Sequence, residues 1–422
     1  MAGDGVRRTL REVAGLERDV LVLSVAMLAF SLSYQMTDRY VAAYMQALGA
    51  GAGVIGIFGS FKQFIAAIYP YPGGAISDRI GTRRALTLFG LLSVVGFVVW
   101  LAAPGLGGPL PAWAWLFVGL VLVQAWNSLG LGATFALVKQ SVDAAHLARG
   151  FAATEVVRRV GFLLGPLFAT AIFALTAGFL DGFQFVLVVA IGFAVVATVA
   201  QRLLYDPIGD TLGKAWAGLA SVREDLAALP RPLRPLLVAD TLVRFANGMV
   251  YVFFVLVVVD RLQVSATLPV VGLLRPEAYF GVLLAVEMVV ALLVMLPSAW
   301  VADNWGLKPV VAAGFSVYAL TPILLISAPP EALVVALVFA FSGLRFAGLP
   351  AHKALIVGPA EKGAGGRVTG AYYLLRNALT VPGAAVGGFL YAQSPTIAFT
   401  VATVVGLVGT LVFVVFGVEP TT

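Results

Sequence analysis

Long apolar runs recur along the whole chain and constrain its fold more than any other feature. A run of about 20 apolar residues is what an α-helix needs to cross the hydrocarbon core of a bilayer. Such runs make up most of the 422 residues, and only 11% of the residues are charged. A soluble globular protein carries about 25% charged residues. The sequence therefore predicts an integral membrane protein and excludes a soluble enzyme and a disordered chain.

Twelve of these runs can be counted, and they predict an all-α membrane fold with twelve transmembrane helices. Gly and Pro occur inside many runs, which a bundle of membrane helices tolerates because neighbouring helices satisfy the freed backbone groups. We place the predicted spans at residues 20–46, 52–76, 85–103, 113–138, 149–177, 182–204, 234–260, 276–302, 309–327, 332–357, 367–392 and 395–418.

The basic residues predict the orientation of the chain. Of the 27 Lys and Arg, 18 fall in the N-terminal segment and in connections on its side of the membrane, whereas only Arg261 and Arg275 fall in connections on the other side. By the positive-inside rule both termini are cytoplasmic, and we expect a multi-pass protein of the plasma membrane. The net charge of +6 reflects this topology, not a nucleic-acid partner.

A long polar connection divides the spans into two sets of six. We predict an N-terminal six-helix bundle at 1–204, a cytoplasmic linker at 205–233 and a C-terminal six-helix bundle at 234–422. The loops after spans 2 and 8 repeat one another at an offset of 225 residues, which pairs Asp78 with Asp303. Two parallel halves of this kind are typical of transporters that work by alternating access.

The loop after span 2 also carries a family resemblance. Its residues Gly74, Asp78, Arg79, Gly81 and Arg83 resemble the signature loop of the major facilitator superfamily. The resemblance extends over essentially the whole chain. It implies two pseudo-symmetric six-helix bundles and a gating role for these five residues and for the loop's counterpart Asp303.

The resemblance implies two further roles. Asp78 is expected to interact with span 11, whose nearest unpaired cation is Arg376, and so to lock the outward-open state. Span 5 contains Gly161, Gly165 and Pro166, which are similar to the Gly-Pro motif of proton-coupled exporters in the superfamily.

Charged residues within the spans mark the functional interior, because a charge at mid-bilayer costs about 2.5 to 3.5 kcal/mol on insertion scales. The candidates for proton coupling are Asp38, Glu155 and Glu287. The cationic candidates for substrate binding are Lys62 and Arg345, and the gating candidates inside spans are Arg158, Asp240, Arg244 and Arg376.

Each of these assignments has a structural alternative. Asp38 can form a fixed ion pair with Lys62. Asp240 and Arg244 lie four residues apart on one helix face and can satisfy each other. Arg345 can bind an anionic substrate group through its guanidinium fork, or it can pair with Glu287.

Uncharged polar residues at depth complete the candidate binding site. Such residues either join helices or face the substrate. The candidates are Tyr34, Gln35, Gln124, Asn127 and Asn247. We interpret His352 and Lys353, at the cytoplasmic end of span 10, as interface anchors.

Together these features predict a monomeric secondary active transporter that moves a small organic solute by alternating access with proton coupling. The span 5 motif favours efflux. The alternatives are an organic-anion uptake symporter, a facilitative uniporter and a lysolipid translocator. The chain has no Cys, two His and no phosphate-binding loop, so we expect neither a cofactor nor a metal, and no enzymatic activity.

Overall fold

The apolar runs are helical in the structure, a computed structural model that describes residues 18–106, 108–130, 147–204, 229–269, 272–357 and 365–419. The helices before the long connection are α1 Arg18–Asp38, α2 Val41–Ala47, α3 Ala52–Ile68, α4 Pro70–Ile80, α5 Thr82–Ala102, α6 Ala114–Gln124, α7 Leu147–Leu175 and α8 Phe179–Leu204.

The helices after the long connection are α9 Leu233–Tyr251, α10 Phe254–Leu256, α11 Pro276–Trp305, α12 Leu307–Ile326, α13 Ala332–Gly343, α14 Leu349–Val357, α15 Gly365–Thr380, α16 Gly383–Gln393 and α17 Pro395–Phe416. A short antiparallel hairpin of β1 Ala266–Leu268 and β2 Gly272–Leu274 precedes α11.

Six helical segments among the described residues are long and apolar enough to cross a membrane. They are Thr82–Gly105, Phe179–Leu204, Pro276–Met295, Leu307–Ile326, Ala332–Ile356 and Pro395–Phe416. A seventh is present if Leu233–Tyr251 and Phe254–Arg261 form one span, bent by 44°. The fold is therefore that of a multi-pass helical membrane protein, and the count of twelve spans stays a prediction.

The chain forms two compact units. The first contains Met1–Tyr44 and Ile68–Trp216, and the second contains Met45–Ala67 and Ala217–Thr422. Residues 45–67, which we predicted within the N-terminal bundle, thus group with the second unit. The predicted domain boundaries stay a prediction.

Small residues allow close helix packing in the first unit, as is common in membrane bundles. A Cβ at Gly165 of α7 would lie 2.8 Å from the Cβ of Gln35 on α1. Gly161 packs in the same way beside Ser31, one turn earlier on each helix. The glycines of the predicted exporter motif therefore have a packing role between α7 and α1.

The internal repeat is visible in the backbone of the two signature loops. Gly81 has φ 87° and ψ 150°, and Gly306 has φ 94° and ψ 163°. Each glycine ends one helix and precedes the next, and each N–H donates to a carbonyl four residues earlier. Side chains rarely tolerate this backbone region, which explains why both loops carry glycine at this point.

Each unit also ties the start of the helix after its loop to the end of its last helix. In the first unit, Arg83 Nε donates to the carbonyl oxygen of Arg202, near the C-terminus of α8, at 2.9 Å. In the second unit, the Glu419 carboxylate accepts from the backbone N–H groups of Leu307 and Lys308. These charges suit the dipoles of the helix ends that they bind.

Removing the Glu419 carboxylate should weaken this second anchor. Because Glu419 caps the first turn of α12, we expect Glu419→Ala to lower the free energy of unfolding by about 1 kcal/mol. Glu331→Ala is the matched control, since Glu331 precedes α13 without a side-chain capping bond. Unfolding in detergent, followed by tryptophan fluorescence, measures both variants; equal losses would contradict the capping role.

Candidate functional site

A buried carboxylate on α9 contacts several polar side chains of the second unit. Asp240 is fully buried, and its Oδ1 lies 3.2 Å from Arg244 Nε. Its Oδ2 lies 3.1 Å from Arg376 Nη1 and accepts a hydrogen bond from the Tyr372 hydroxyl at 3.2 Å. The predicted pairing of Asp240 with Arg244 is confirmed. We call Asp240, Arg244, His352, Tyr372 and Arg376 the aspartate cluster.

His352 belongs to this cluster, so its interpretation as an interface anchor was wrong. The side chain is 3% exposed, and Nε2 lies 3.2 Å from Asp240 Oδ2. The reason is that α14 turns this residue toward α9 and not toward the membrane surface. A spacing of seven residues from Arg345, two helical turns, was the signal that could have indicated an inward-facing position.

A second ion pair lies nearby in the same unit. Arg345 Nη2 is 2.7 Å from Glu287 Oε1, and both residues are 4% exposed. The Ser342 hydroxyl donates to the same carboxylate oxygen at 2.7 Å, and Arg345 Nη2 donates to the Tyr251 hydroxyl at 3.1 Å. The alternative in which Arg345 pairs with Glu287 is therefore confirmed. We call Glu287, Ser342, Arg345 and Tyr251 the glutamate cluster.

Tyr318 on α12 connects the two clusters. Arg244 Nη1 donates to its hydroxyl at 2.8 Å, and the guanidinium carbon of Arg244 lies 4.8 Å from its ring centroid. The guanidinium carbon of Arg345 lies 5.1 Å from the same centroid. The two clusters thus form one network of three arginines and two carboxylates, in which Arg345 and both carboxylates are buried and Arg244 and Arg376 are half-buried.

A separate polar group lies in the first unit at the end of α1. Tyr34 forms side-chain hydrogen bonds with Asp38, one turn later, and with Gln124 at the end of α6. Asp38 is the last residue of α1, and the chain turns before α2 begins at Val41. The structure therefore brings together three of the predicted site residues.

Helix interruptions coincide with both groups. Arg345 sits in a 3₁₀ turn, Leu344–Phe346, between α13 and α14. Gln124 is followed by a π-helical turn, Ala125–Leu129, in which Trp126 stacks on Phe30 with ring centroids 4.1 Å apart. Such interruptions are frequent at binding sites of membrane transporters, because they free backbone groups and redirect side chains.

The remaining candidates with described side chains differ in their exposure. Gln35 is buried, Asn247 and Lys62 are half-buried, and Asn127, Arg79 and Asp303 are exposed. Lys62 lies on α3 in the second unit, so its pairing with Asp38 stays a prediction.

Three predicted side chains, those of Asp78, Glu155 and Arg158, are outside the described residues. The carboxylate that Arg376 contacts is Asp240 of its own unit. The expected contact between Asp78 and Arg376 stays a prediction.

Comparison with known protein families identifies the family to which this chain belongs. Residues 21–274, more than half of the chain, match the family model described as Major Facilitator Superfamily. The chain belongs to the major facilitator superfamily. It is thus a membrane transporter of the major facilitator type. No protein of the curated collection of sequences matches the chain.

Solved structures of other transporters share the fold. The nucleoside transporter NupG has a TM-score of 0.73 at 14% identity, over 95% of this chain and 99% of its own. A bacterial homologue of the iron transporter ferroportin, in an inward-facing state, has a TM-score of 0.73 at 13% identity, over 95% and 99%. A POT family transporter in complex with 5-aminolevulinic acid has a TM-score of 0.70 at 15% identity, over 96% and 99%.

Proposed function

We propose that this superfamily member is a secondary active transporter that moves a small organic solute by alternating access and is coupled to protons. It works as a monomer in the plasma membrane, with both termini in the cytoplasm. The observation that carries the proposal is the position of Asp38, a carboxylate at an interruption of the first predicted span. Carboxylates inside membrane spans mark proton relays in pumps and transporters.

The neighbours of Asp38 support a role in coupling. Tyr34 joins Asp38 to Gln124, so the protonation of the carboxylate and the position of two helices are linked through hydrogen bonds. Movement of either helix between transport states would change the contacts that the Asp38 carboxylate makes. Proton binding and helix movement would then be coupled.

Two combinations of transported solute and direction of transport are candidates. Efflux of an organic solute is favoured by the resemblance of Gly161, Gly165 and Pro166 to the exporter motif. Uptake of an organic anion is favoured by the excess of arginines over carboxylates in the network of the second unit. The structural neighbours include a nucleoside transporter, a peptide transporter and a bacterial homologue of an iron transporter, so the shared fold by itself selects no substrate.

Transport by purified protein in liposomes tests the coupling. A thermal-shift screen across pH with diverse organic cations and anions identifies a ligand, whose transport is then followed with and without an imposed pH gradient. We expect Asp38→Asn to lower the rate of gradient-driven transport at least about tenfold, while the exchange of labelled for unlabelled solute across the membrane continues. Asp181→Asn, which changes an exposed aspartate in the first turn of α8, should behave like the unmodified protein.

Three outcomes would contradict the proposal. Transport that only equalises the solute concentrations on the two sides of the membrane would indicate a facilitative uniporter. Gradient-driven transport that survives in Asp38→Asn would remove this residue from the coupling step. A ligand screen that returns only lysolipids would indicate a lipid translocator.

A further inference from the structure

A small cavity lies inside the second unit, beside the 3₁₀ turn that contains Arg345. Its volume is about 10 Å³. A polar cavity can hold one water molecule from roughly 10 to 15 Å³ upward, and that water needs two to four polar partners. The polar side chains on the wall of this cavity are those of Arg244, Tyr318, Arg345 and His352. The size and the lining therefore both suit a single water molecule.

The guanidinium group of Arg345 gives the strongest reason to expect a ligand in this space. The residue is 4% exposed, and its Nη2 contacts Glu287 and donates to Tyr251. Its Nε, by contrast, donates to no acceptor among the described residues. A buried donor without an acceptor has lost its hydrogen bonds to solvent without replacement, and the cost is larger for a charged group. An acceptor in the adjoining cavity would remove this cost.

Tyr318, on the wall of the same cavity, offers a second partner. Its hydroxyl oxygen accepts from Arg244 Nη1 at 2.8 Å, and its own hydrogen has no acceptor among the described residues. A phenol hydroxyl can accept and donate at the same time. The Nε2 atom of His352 already faces Asp240 Oδ2 at 3.2 Å. An acceptor placed in the cavity can therefore serve both Arg345 and Tyr318.

We propose that this cavity binds one water molecule, which accepts hydrogen bonds from Arg345 Nε and from the Tyr318 hydroxyl. The Glu287 carboxylate already faces the Arg345 guanidinium, so a neutral ligand suffices. The water is a second anchor for Arg345, beside Glu287, at the interruption between α13 and α14. It also links Arg345 to Tyr318 and thereby to the aspartate cluster. The inference does not depend on the proton coupling proposed above, and it can be tested without a transport assay.

A crystal structure of the full-length protein, at a resolution that shows buried water molecules, tests the site directly. We expect one peak of density in the cavity, within hydrogen-bonding distance of both Arg345 Nε and the Tyr318 hydroxyl.

Two substitutions of Gly314 test the site in solution. A Cβ at Gly314, on the wall of the cavity, would lie 3.3 Å from the Arg345 carbonyl oxygen and 3.5 Å from Gly348 Cα. We expect the methyl group of Gly314→Ala to displace the water and to leave Arg345 Nε without an acceptor. Gly314→Ser brings a hydroxyl oxygen into the same space, so we expect its Tm to exceed that of Gly314→Ala by about 2 °C.

Gly248 provides the matched control for both substitutions. It lies within α9, and a Cβ at this position meets nothing within 4 Å. Because alanine has a higher helix propensity than serine, Gly248→Ala should be at least as stable as Gly248→Ser. A higher Tm for serine than for alanine at position 314 alone cannot come from helix propensity, nor from relief of crowding, since serine is the larger residue.

Three results would overturn the proposal. One is a map that shows other buried water molecules but no density beside Arg345 Nε, so that this group faces only the rings around it. Another is density whose shape or scattering identifies an ion. The last is a folded Gly314→Ser protein that is no more stable than Gly314→Ala. If neither Gly314 variant folds, the density in the unmodified protein decides.

Discussion

Replacement of Asp240 by asparagine should destabilise the transporter by about 3 to 5 kcal/mol, the typical cost of leaving buried charges without their partner. Asp240 is fully buried and meets Arg244 and Arg376 at 3.2 and 3.1 Å. Asparagine keeps the shape of the side chain but removes the negative charge, so both guanidinium groups would face each other across a neutral amide. Unfolding of the purified protein in mixed detergent measures the loss.

An exposed aspartate provides the control for this substitution. Asp303, in the second signature loop, is exposed, and Asp303→Asn should change the free energy of unfolding by no more than about 0.5 kcal/mol. Equal stability of Asp240→Asn and the unmodified protein would show that the aspartate cluster is not held together by this carboxylate. A loss confined to Asp240→Asn would support the cluster as the electrostatic centre of the second unit.

Substitution of either partner of the Glu287 and Arg345 pair should be strongly destabilising, whereas substitution of both should be much less so. The two groups are 2.7 Å apart and almost completely buried. We expect Glu287→Met or Arg345→Met alone to cost about 3 to 5 kcal/mol, because one buried charge remains. In the double variant both charges are gone, and about 2 kcal/mol or more should be recovered as coupling energy.

A solvent-exposed pair provides the matched double-mutant cycle. Arg275 and Glu277 lie 3.4 Å apart at the start of α11, where the arginine side chain is 35% exposed. Their coupling energy should be below about 1 kcal/mol. A coupling energy for the buried pair as small as that of Arg275 and Glu277 would contradict its structural role.

Transport by the double variant adds a functional readout to the same cycle. Recovered stability with recovered transport would assign the Glu287 and Arg345 pair to the architecture of the second unit. Recovered stability without transport would place the pair in the transport step itself, as the sequence-based assignment of Glu287 to proton coupling predicts.

Some features of this protein follow from local sequence. The length of the apolar runs predicts membrane helices, because the thickness of a bilayer determines how many residues must be apolar. The loop repeat predicts that Gly81 and Gly306 share a conformation, and their backbone angles agree. The pairing of Asp240 with Arg244 also follows locally, since residues four apart share a helix face.

Other features were decided only by the tertiary structure. Arg376 meets Asp240 from a position 136 residues away in sequence, and His352 joins the same carboxylate from a third helix. Such contacts depend on how each helix is rotated about its axis and how deep it lies in the membrane. The apolar faces of membrane helices constrain both only weakly, because lipid and protein interior are similarly apolar. The sequence alone determined the membrane class, the family and the charges that needed partners. The packing of six helices, α9 and α11 to α15, determined which partners they found.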